Sequence, residues 1–323
     1  MLTRKNGCGR ERQPAACLND GCDAPVSESV DVSVLLTEVA GLLPPTDGES
    51  AASAARALIA AVLDRSWSTL RLAEREQETL SETDAERVRD AVRRMRAGMP
   101  LAYAVGSAAF RHLVLHVDER VLIPRPETEI VVDHALRLMQ NTSGGLAVDV
   151  GTGSGAIALA LAQEGAFERV IGTDISADAL AVARLNGERV ALSLGTPVEW
   201  RLGADLSPVQ GLRTRLIVCN PPYIAFSEAA ALPSSVRDWE PPTALFAADN
   251  GMARYAELLR GAPALLEPGG WIVLECDSRR AAEAAALAER LGAYHGVRVY
   301  DDLTGRPRVL VAQRRTAWPL DAT

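Results

Sequence analysis

The sequence has no apolar run that approaches the roughly 20 residues a membrane-crossing helix needs, and no apolar segment of secretory-signal type follows its early basic residues. These absences exclude a helical membrane span and point to a cytoplasmic protein with no membrane partner. Lysine is almost missing: Lys5 stands alone, and arginine carries nearly all the positive charge, which reflects base composition more than chemistry. Positive charge is also short overall. A net charge of −8 and a pI of about 5.2 set the whole chain against a phosphate backbone, so direct nucleic-acid binding is not expected. The local strip Arg93, Arg94 and Arg96 is either a small RNA contact or the solvated face of an amphipathic helix. Cysteine is scarce and uneven. Cys8, Cys17 and Cys22 lie in a polar leader, Cys219 and Cys276 at the ends of apolar runs, an odd set that excludes a disulfide framework. The first three have no histidine near them and no knuckle spacing, so no metal site is expected.

What is present is ordinary globular composition, 48% hydrophobic and 24% charged over 323 residues, enough for a catalytic domain of about 200 residues and a smaller partner. Residues 1–30 read as a disordered leader and 316–323 as a tail. Helical apolar spacing covers 31–43 and 51–64, interrupted by Pro44-Pro45 and the Thr46-Asp47-Gly48 turn. A third helix starts at Ser81, which forms a capping box with Asp84, presents Val88, Ala91, Val92 and Met95 as one stripe, and stops at Gly98 and Pro100. Residues 31–100 are therefore expected to form a small helical bundle. The period then changes. Phe110, Leu113, Leu115 and Val117 fit an extended hairpin within a connector over 101–122, and Pro124 and Pro126 hold the next segment extended.

Strands at 146–150, 170–174, 197–201, 215–219 and 271–276 alternate with helices at about 155–164, 177–190, 252–266 and 279–291. Two last strands near 297–302 and 307–313 are joined by Thr304-Gly305-Arg306-Pro307, too short for a crossover, so they should be antiparallel. The fold expected over 123–315 is α/β: a doubly wound, seven-stranded, Rossmann-like sheet with one reversed strand.

Two segments carry chemistry. In the first, Asp149-Val-Gly-Thr-Gly-Ser-Gly155, the glycines Gly151, Gly153 and Gly155 allow a tight strand-to-helix turn. With Thr152 and Ser154 they bring a ligand against backbone N–H groups at a helix N-terminus. Such a turn serves either a dinucleotide or S-adenosylmethionine. The missing two-residue gap before the last glycine favours S-adenosylmethionine, as does Asp149, placed to face a sulfonium or to orient the loop. Asp174 ends the second strand, where a carboxylate accepts both ribose hydroxyls or caps the next helix, a job also open to Ser176. Asp205 is expected near the adenine with Leu206 packing beside it, or else as a plain surface acid.

The second segment is Asn220-Pro221-Pro222-Tyr223, directly after the fourth strand. Taken alone it is also an Asn-Pro turn. Both prolines hold φ at about −65° and donate no hydrogen bond, which leaves the neighbouring carbonyls free for a ligand. Asn220 would accept one N–H of a planar NH2 group and the Pro221 carbonyl the other, while Tyr223 stacks on the flat group. The segment leaves the sheet at the same carboxyl edge as the glycine loop. A delocalised nitrogen needs orientation more than a strong base, so catalysis by Asn220, Pro221 and Tyr223 should be mainly positional.

Several motifs occur together in one order: Gly98-Met-Pro-Leu-Ala-Tyr103 to Gly106, Leu122-Ile-Pro-Arg-Pro-Glu-Thr-Glu129, Asp149 to Gly155, Asn220-Pro-Pro-Tyr-Ile224, Glu240-Pro241 with Ala244-Leu245, and Asp302-Leu-Thr-Gly-Arg-Pro-Arg308. From about residue 31 to 313 this set resembles the bacterial peptide chain release factor N5-glutamine methyltransferases. The resemblance implies methylation of the glutamine amide in the Gly-Gly-Gln motif of release factors, with the helical N-terminal domain gripping the protein partner. It also implies that Gly151 to Gly155, Asp174, the Asp205–Leu206 region and Asn220 contact the cofactor and that Asn220 to Tyr223 hold the glutamine. Arg125 to Glu129 would shape the neighbouring loop or act as a proline-fixed strut. A monomer is expected. Three places depart from the family pattern. Glu275-Cys-Asp-Ser-Arg-Arg280 has Asp277 for Gly and Arg280 for Gln, Ala247 to Gly251 replaces a more glycine-rich turn, and Ala54-Ala55-Arg56 stands where Asp-Ala is usual. The competing functions are an N-methyltransferase for adenine N6, guanine N2 or a small metabolite, and a binding module that has lost turnover.

Overall fold

The computed structural model describes residues 29–43 and 50–316. The leader cysteines, the Pro44-Pro45 break with its turn, and all but the edges of the expected leader and tail lie outside the described residues.

The N-terminal part runs β1 (Ser29–Asp31), α1 (Val32–Leu42), α2 (Ala51–Val62), α3 (Trp67–Arg75), β2 (Thr79–Ser81), α4 (Glu82–Arg96) and α5 (Leu101–Val105). Four of the helices begin on a side-chain cap: Asp31, Ser50, Ser66 and Ser81 accept backbone N–H groups of Ser33, Ser53, Thr69 and Asp84. Each satisfies a donor that the first helical turn leaves open. The expected stripe on α4 is buried at Val88, Ala91 and Val92, which pack with Leu35, Leu58, Ile59 and Leu70. The opposite face keeps its charges in water, where Arg93 and Arg94 pair with Asp90 on their own helix. Sequence periodicity had not indicated α3, the antiparallel β1–β2 pair or α5. The reason is physical: α3 buries only Leu70 and Ala73, too little to make a stripe, and α5 is one turn closed by Gly106 at φ 76°.

The hairpin is narrower than expected, β3 (Ser107–Phe110) against β4 (Leu113–His116). A larger difference follows. The segment containing Pro124 and Pro126 is extended only as far as Arg125, and Pro126 opens α6 (Pro126–Met139). Proline is tolerated at the first helical position because its missing N–H would find no partner there anyway, while the residue before it stays extended. Arg125 does so, at φ −105° and ψ 147°.

The remainder alternates as anticipated: β5 (Leu146–Val150), α7 (Ala156–Glu164), β6 (Arg169–Asp174), α8 (Ala177–Val190), β7 (Val198–Leu202) and β8 (Thr214–Cys219). After the short β9 (Ile224–Ala225), α9 (Ser234–Arg237), α10 (Pro242–Leu245) and β10 (Phe246–Ala247) come α11 (Ala253–Leu265), β11 (Leu266–Glu275), α12 (Ala281–Arg290), β12 (Tyr294–Asp301) and β13 (Pro307–Arg314). The main sheet has seven strands in the order β12-β13-β11-β8-β5-β6-β7. Only β13 runs against its neighbours, antiparallel to both β11 and β12. This is the doubly wound sheet with one reversed strand that the pattern called for. Each face is covered. Along β8, Ile217 and Cys219 join the core beneath α11 and α12, and Leu216 and Val218 join the one beneath α6 and α7, as expected for a strand buried on both sides. Strand order reverses between β5 and β8, which opens a crevice at their carboxyl ends. No described helix is long and apolar enough to cross a membrane.

Candidate active site

One pocket occupies that crevice. It is lined by the Gly151–Ser154 loop, Asp174, Ile175, Gly203 to Asp205, Asn220 to Pro222 and, from outside the sheet, Arg125 and Thr128. The three glycines of the loop have different tasks. A Cβ built on Gly151 or Gly153 would meet nothing within 4 Å, so these two leave open the space in which a ligand reaches the backbone. On Gly155 it would come within 2.9 Å of the Trp200 ring, and on Gly172 within 2.5 Å. Gly155, at φ 86°, thus lets α7 pack closely on the sheet and lies outside the pocket lining.

Asp149 is fully buried. One carboxylate oxygen accepts the Thr152 hydroxyl at 2.6 Å and the Ala158 N–H at 3.1 Å; the other has no partner among the described residues. Of its two expected roles, this is the orienting one: the side chain ties the glycine loop to the first turn of α7 and does not line the pocket. Burial pushes its pKa up to about 7, against the pull of both hydrogen bonds. Asp174 does line the pocket. Its carboxylate accepts the N–H groups of Gly153 and Ser176, each at 2.9 Å, and is raised by burial. Ser176 caps α8 by accepting Ala179 N–H, so Asp174 is not needed for that. Asp205 sits at the rim in left-handed conformation, φ 49°, with both oxygens on Arg254 at 3.1 and 3.0 Å. Leu206, expected beside the ligand, is instead buried in the core under α11 and absent from the lining. Its backbone turns with Asp205, which sends the next side chain inward.

Asn220, Pro221 and Pro222 line the pocket opposite the glycine loop, and Tyr223 does not. The Tyr223 side chain packs against the core, and its hydroxyl donates to Glu275 at 3.4 Å. The Asn220 side-chain amide donates to the Thr128 hydroxyl at 3.0 Å, and that hydroxyl donates to the other oxygen of Glu275 at 2.6 Å. The sequence gives Thr128 only a place in the Arg125 to Glu129 loop or strut, and Glu275 no role. Sequence reasoning missed them because the partners lie 92 and 147 residues apart. Beside them Arg125 pairs with buried Glu240, tying the start of α6 to the loop before α10.

The departures at Asp277 and Arg280 prove to be partners. Arg280, almost buried, donates to Asp277 at 3.1 Å, to Glu228 at 2.6 Å and to the Asn250 carbonyl at 2.5 Å. Glu228 also accepts the Ala225 N–H at 2.9 Å. Arg280, held by Asp277, fastens the segment after Tyr223 to the start of α12. Gly251, in the replaced turn, must be glycine: a Cβ there would lie 2.1 Å from the Tyr223 carbonyl oxygen.

Residues 129–232 match the family description "Methyltransferase small domain" and residues 34–106 match "PrmC N-terminal domain". The release factor glutamine methyltransferase of Moorella thermoacetica is 41% identical over 245 residues, covering 76% of this chain and 86% of the relative. The enzyme of the same name from Enterococcus faecalis is 36% identical over 240 residues, covering 73% and 84%. Among solved structures, a methyltransferase from Pyrococcus furiosus superposes with a TM-score of 0.50 at 18% identity, covering 69% of this chain and 99% of its own, a likeness of fold. The two halves of the pocket, the fold that carries them and these relatives converge: the chain belongs to the release factor glutamine methyltransferase family.

Proposed function

We propose that the chain transfers a methyl group from S-adenosylmethionine to the side-chain amide nitrogen, N5, of a glutamine in a peptide chain release factor, the glutamine of its Gly-Gly-Gln motif. The observation that carries this reading is the opposition, in one pocket, of the glycine loop and the Asn220 to Pro222 clamp. The residues present suit the cofactor. Gly151 and Gly153 keep the space that any Cβ would fill, Asp174 offers a carboxylate at the end of β6, and Asp205 sits at the rim.

S-adenosylmethionine supplies, when bound, a methyl group on a positively charged sulfur, so that a nitrogen–carbon bond forms as the carbon–sulfur bond breaks and the nitrogen then sheds one proton. The chain's own residues bind and orient. The Asn220 oxygen accepts one N–H of the glutamine amide and the Pro221 carbonyl the other, holding the nitrogen lone pair toward the methyl donor. Pro222 stiffens this segment, and Tyr223 steadies it from behind through Glu275. Positioning of this kind is worth several orders of magnitude in rate.

Residues 31–100 serve as the domain that grips the release factor, 101–122 as the connector and 123–315 as the catalytic domain. The enzyme acts as a monomer in the cytoplasm and needs no nucleic acid, in keeping with its net charge of −8. The test is incubation of the purified chain with release factor and labelled S-adenosylmethionine, followed by mass-spectrometric mapping. Label is expected on the Gly-Gly-Gln glutamine. Label confined to adenine or guanine amino groups, or to a small metabolite, would replace this reading.

A further inference from the structure

An asparagine side chain can be turned over with almost no change of shape, because its oxygen and its NH2 group are nearly the same size. The clamp works in only one of these orientations: a glutamine N–H needs the Asn220 oxygen facing it, not the NH2 group. Something must choose. Asn220 reaches Thr128 at 3.0 Å, and the Thr128 hydroxyl has a single hydrogen. Glu275, whose side chain is buried at the end of β11, stands 2.6 Å from the same hydroxyl.

As a carboxylate Glu275 can only accept, so the Thr128 hydrogen must point to it. The Thr128 oxygen is then left as an acceptor, which draws the Asn220 NH2 group toward α6 and leaves the Asn220 oxygen for the pocket. We infer that Thr128 and Glu275 are positioning residues that set the donor–acceptor polarity of Asn220 and so make the clamp an acceptor of the substrate N–H. This rests on the reading of Asn220 as the glutamine-amide acceptor.

The surroundings of Glu275 act on its charge in both directions, and the two groups that meet its oxygens, Thr128 and Tyr223, favour the carboxylate. Burial raises its pKa, and the Glu127 charge on α6 acts in the same direction; the Thr128 hydroxyl, the Arg308 charge on β13 and the Tyr223 hydroxyl oppose them. Cys276 and Asp277 continue its own chain segment. Tyr223 donates to the second Glu275 oxygen, so both oxygens are engaged as acceptors. A protonated Glu275 would reverse the order: its O–H would donate to Thr128, the Thr128 hydrogen would turn to the Asn220 oxygen, and the NH2 group would face the substrate.

The experiment compares full-length wild type, T128V, T128S and E275Q, measuring steady-state methylation of release factor and S-adenosylmethionine affinity by calorimetry. Valine keeps the shape of threonine without the hydroxyl. T128V is expected to lose about tenfold in kcat, because the Asn220 amide is then no longer held in one orientation. Its cofactor affinity should match wild type, which also shows that it folds. T128S keeps the hydroxyl and should recover nearly all turnover. In E275Q the Tyr223 hydroxyl holds the glutamine oxygen, the amide NH2 faces Thr128, and the polarity reverses, so kcat should fall about tenfold with cofactor binding intact. Turnover in T128V or E275Q equal to wild type would overturn the assignment, as would a T128S no better than T128V. Failure of the glutamine reading is distinguishable, since wild type itself would then leave release factor unlabelled.

Discussion

The two halves of the pocket are built in opposite ways. The glycine-loop half is local: Asp149, Thr152 and Ala158 secure one another within a single strand–turn–helix, and Asp174 at the next strand end adds the Gly153 N–H. The clamp half is assembled from distance. Asn220 follows β8, Thr128 comes from the first turn of α6, and Glu275 ends β11. Cofactor affinity should therefore follow local backbone geometry, and turnover should follow contacts that only the finished fold creates.

The sharpest way to break that contrast is Asn220→Ala. It should reduce kcat about 1,000-fold while S-adenosylmethionine still binds, because the glycine loop does not depend on it. Turnover within a few fold of wild type would mean the clamp has been misidentified. Next is Gly155→Ala, expected to destabilise the fold by about 3 kcal/mol, since the new methyl group meets Trp200 at a positive φ. Gly153→Ala meets nothing, so it should cost about 1 kcal/mol of stability from its φ of 54° and act mainly on cofactor affinity. Equal thermal stability of the two variants would show that the loop glycines do not divide their tasks in this way.

Asp149 offers a test by pH. An acid whose pKa is raised from 3.8 in the unfolded chain to about 7 in the fold holds its proton more tightly when folded. Its contribution to stability is full below the lower value and is lost as pH rises through the upper one. Asp149→Asn should flatten the decline in unfolding free energy between these two values by on the order of 4 kcal/mol, read from denaturant melts. An unchanged slope would place the titration elsewhere. An effect as small as that of Gly153→Ala belongs to the Arg280 latch. Arg280→Gln should cost about 1 kcal/mol and loosen the segment behind the clamp, raising KM for release factor more than it lowers kcat. A double-mutant cycle with Asp277→Gly should show coupling, since the two side chains touch.

The legibility of the fold follows the same division. The strands from β5 to β8, the helices between them and the antiparallel closing pair were readable because each buries a continuous apolar run or stripe between turn residues. Elements with little apolar content were not, as α3 illustrates. The helix α6 was hidden by a rule applied one residue too far: Pro124 and Pro126 do impose extended backbone up to Arg125, but Pro126 itself starts the helix. Gly151, Gly153, Asp174, Asn220 and Pro221 line the pocket. Gly155, Leu206 and Tyr223 share those motifs and turn toward the core.

By itself the sequence determined the alternation of strand and helix, the glycine loop and the placement of Asn220-Pro221-Pro222 at the same sheet edge, because periodicity, proline and glycine act over a few residues. Only the tertiary structure decided which glycines line the pocket and which pack on Trp200, that Asp277 and Arg280 pair, and that Asn220 meets Thr128. Those outcomes depend on hydrogen bonds and close contacts between segments tens to hundreds of residues apart, and no local pattern of side chains records them.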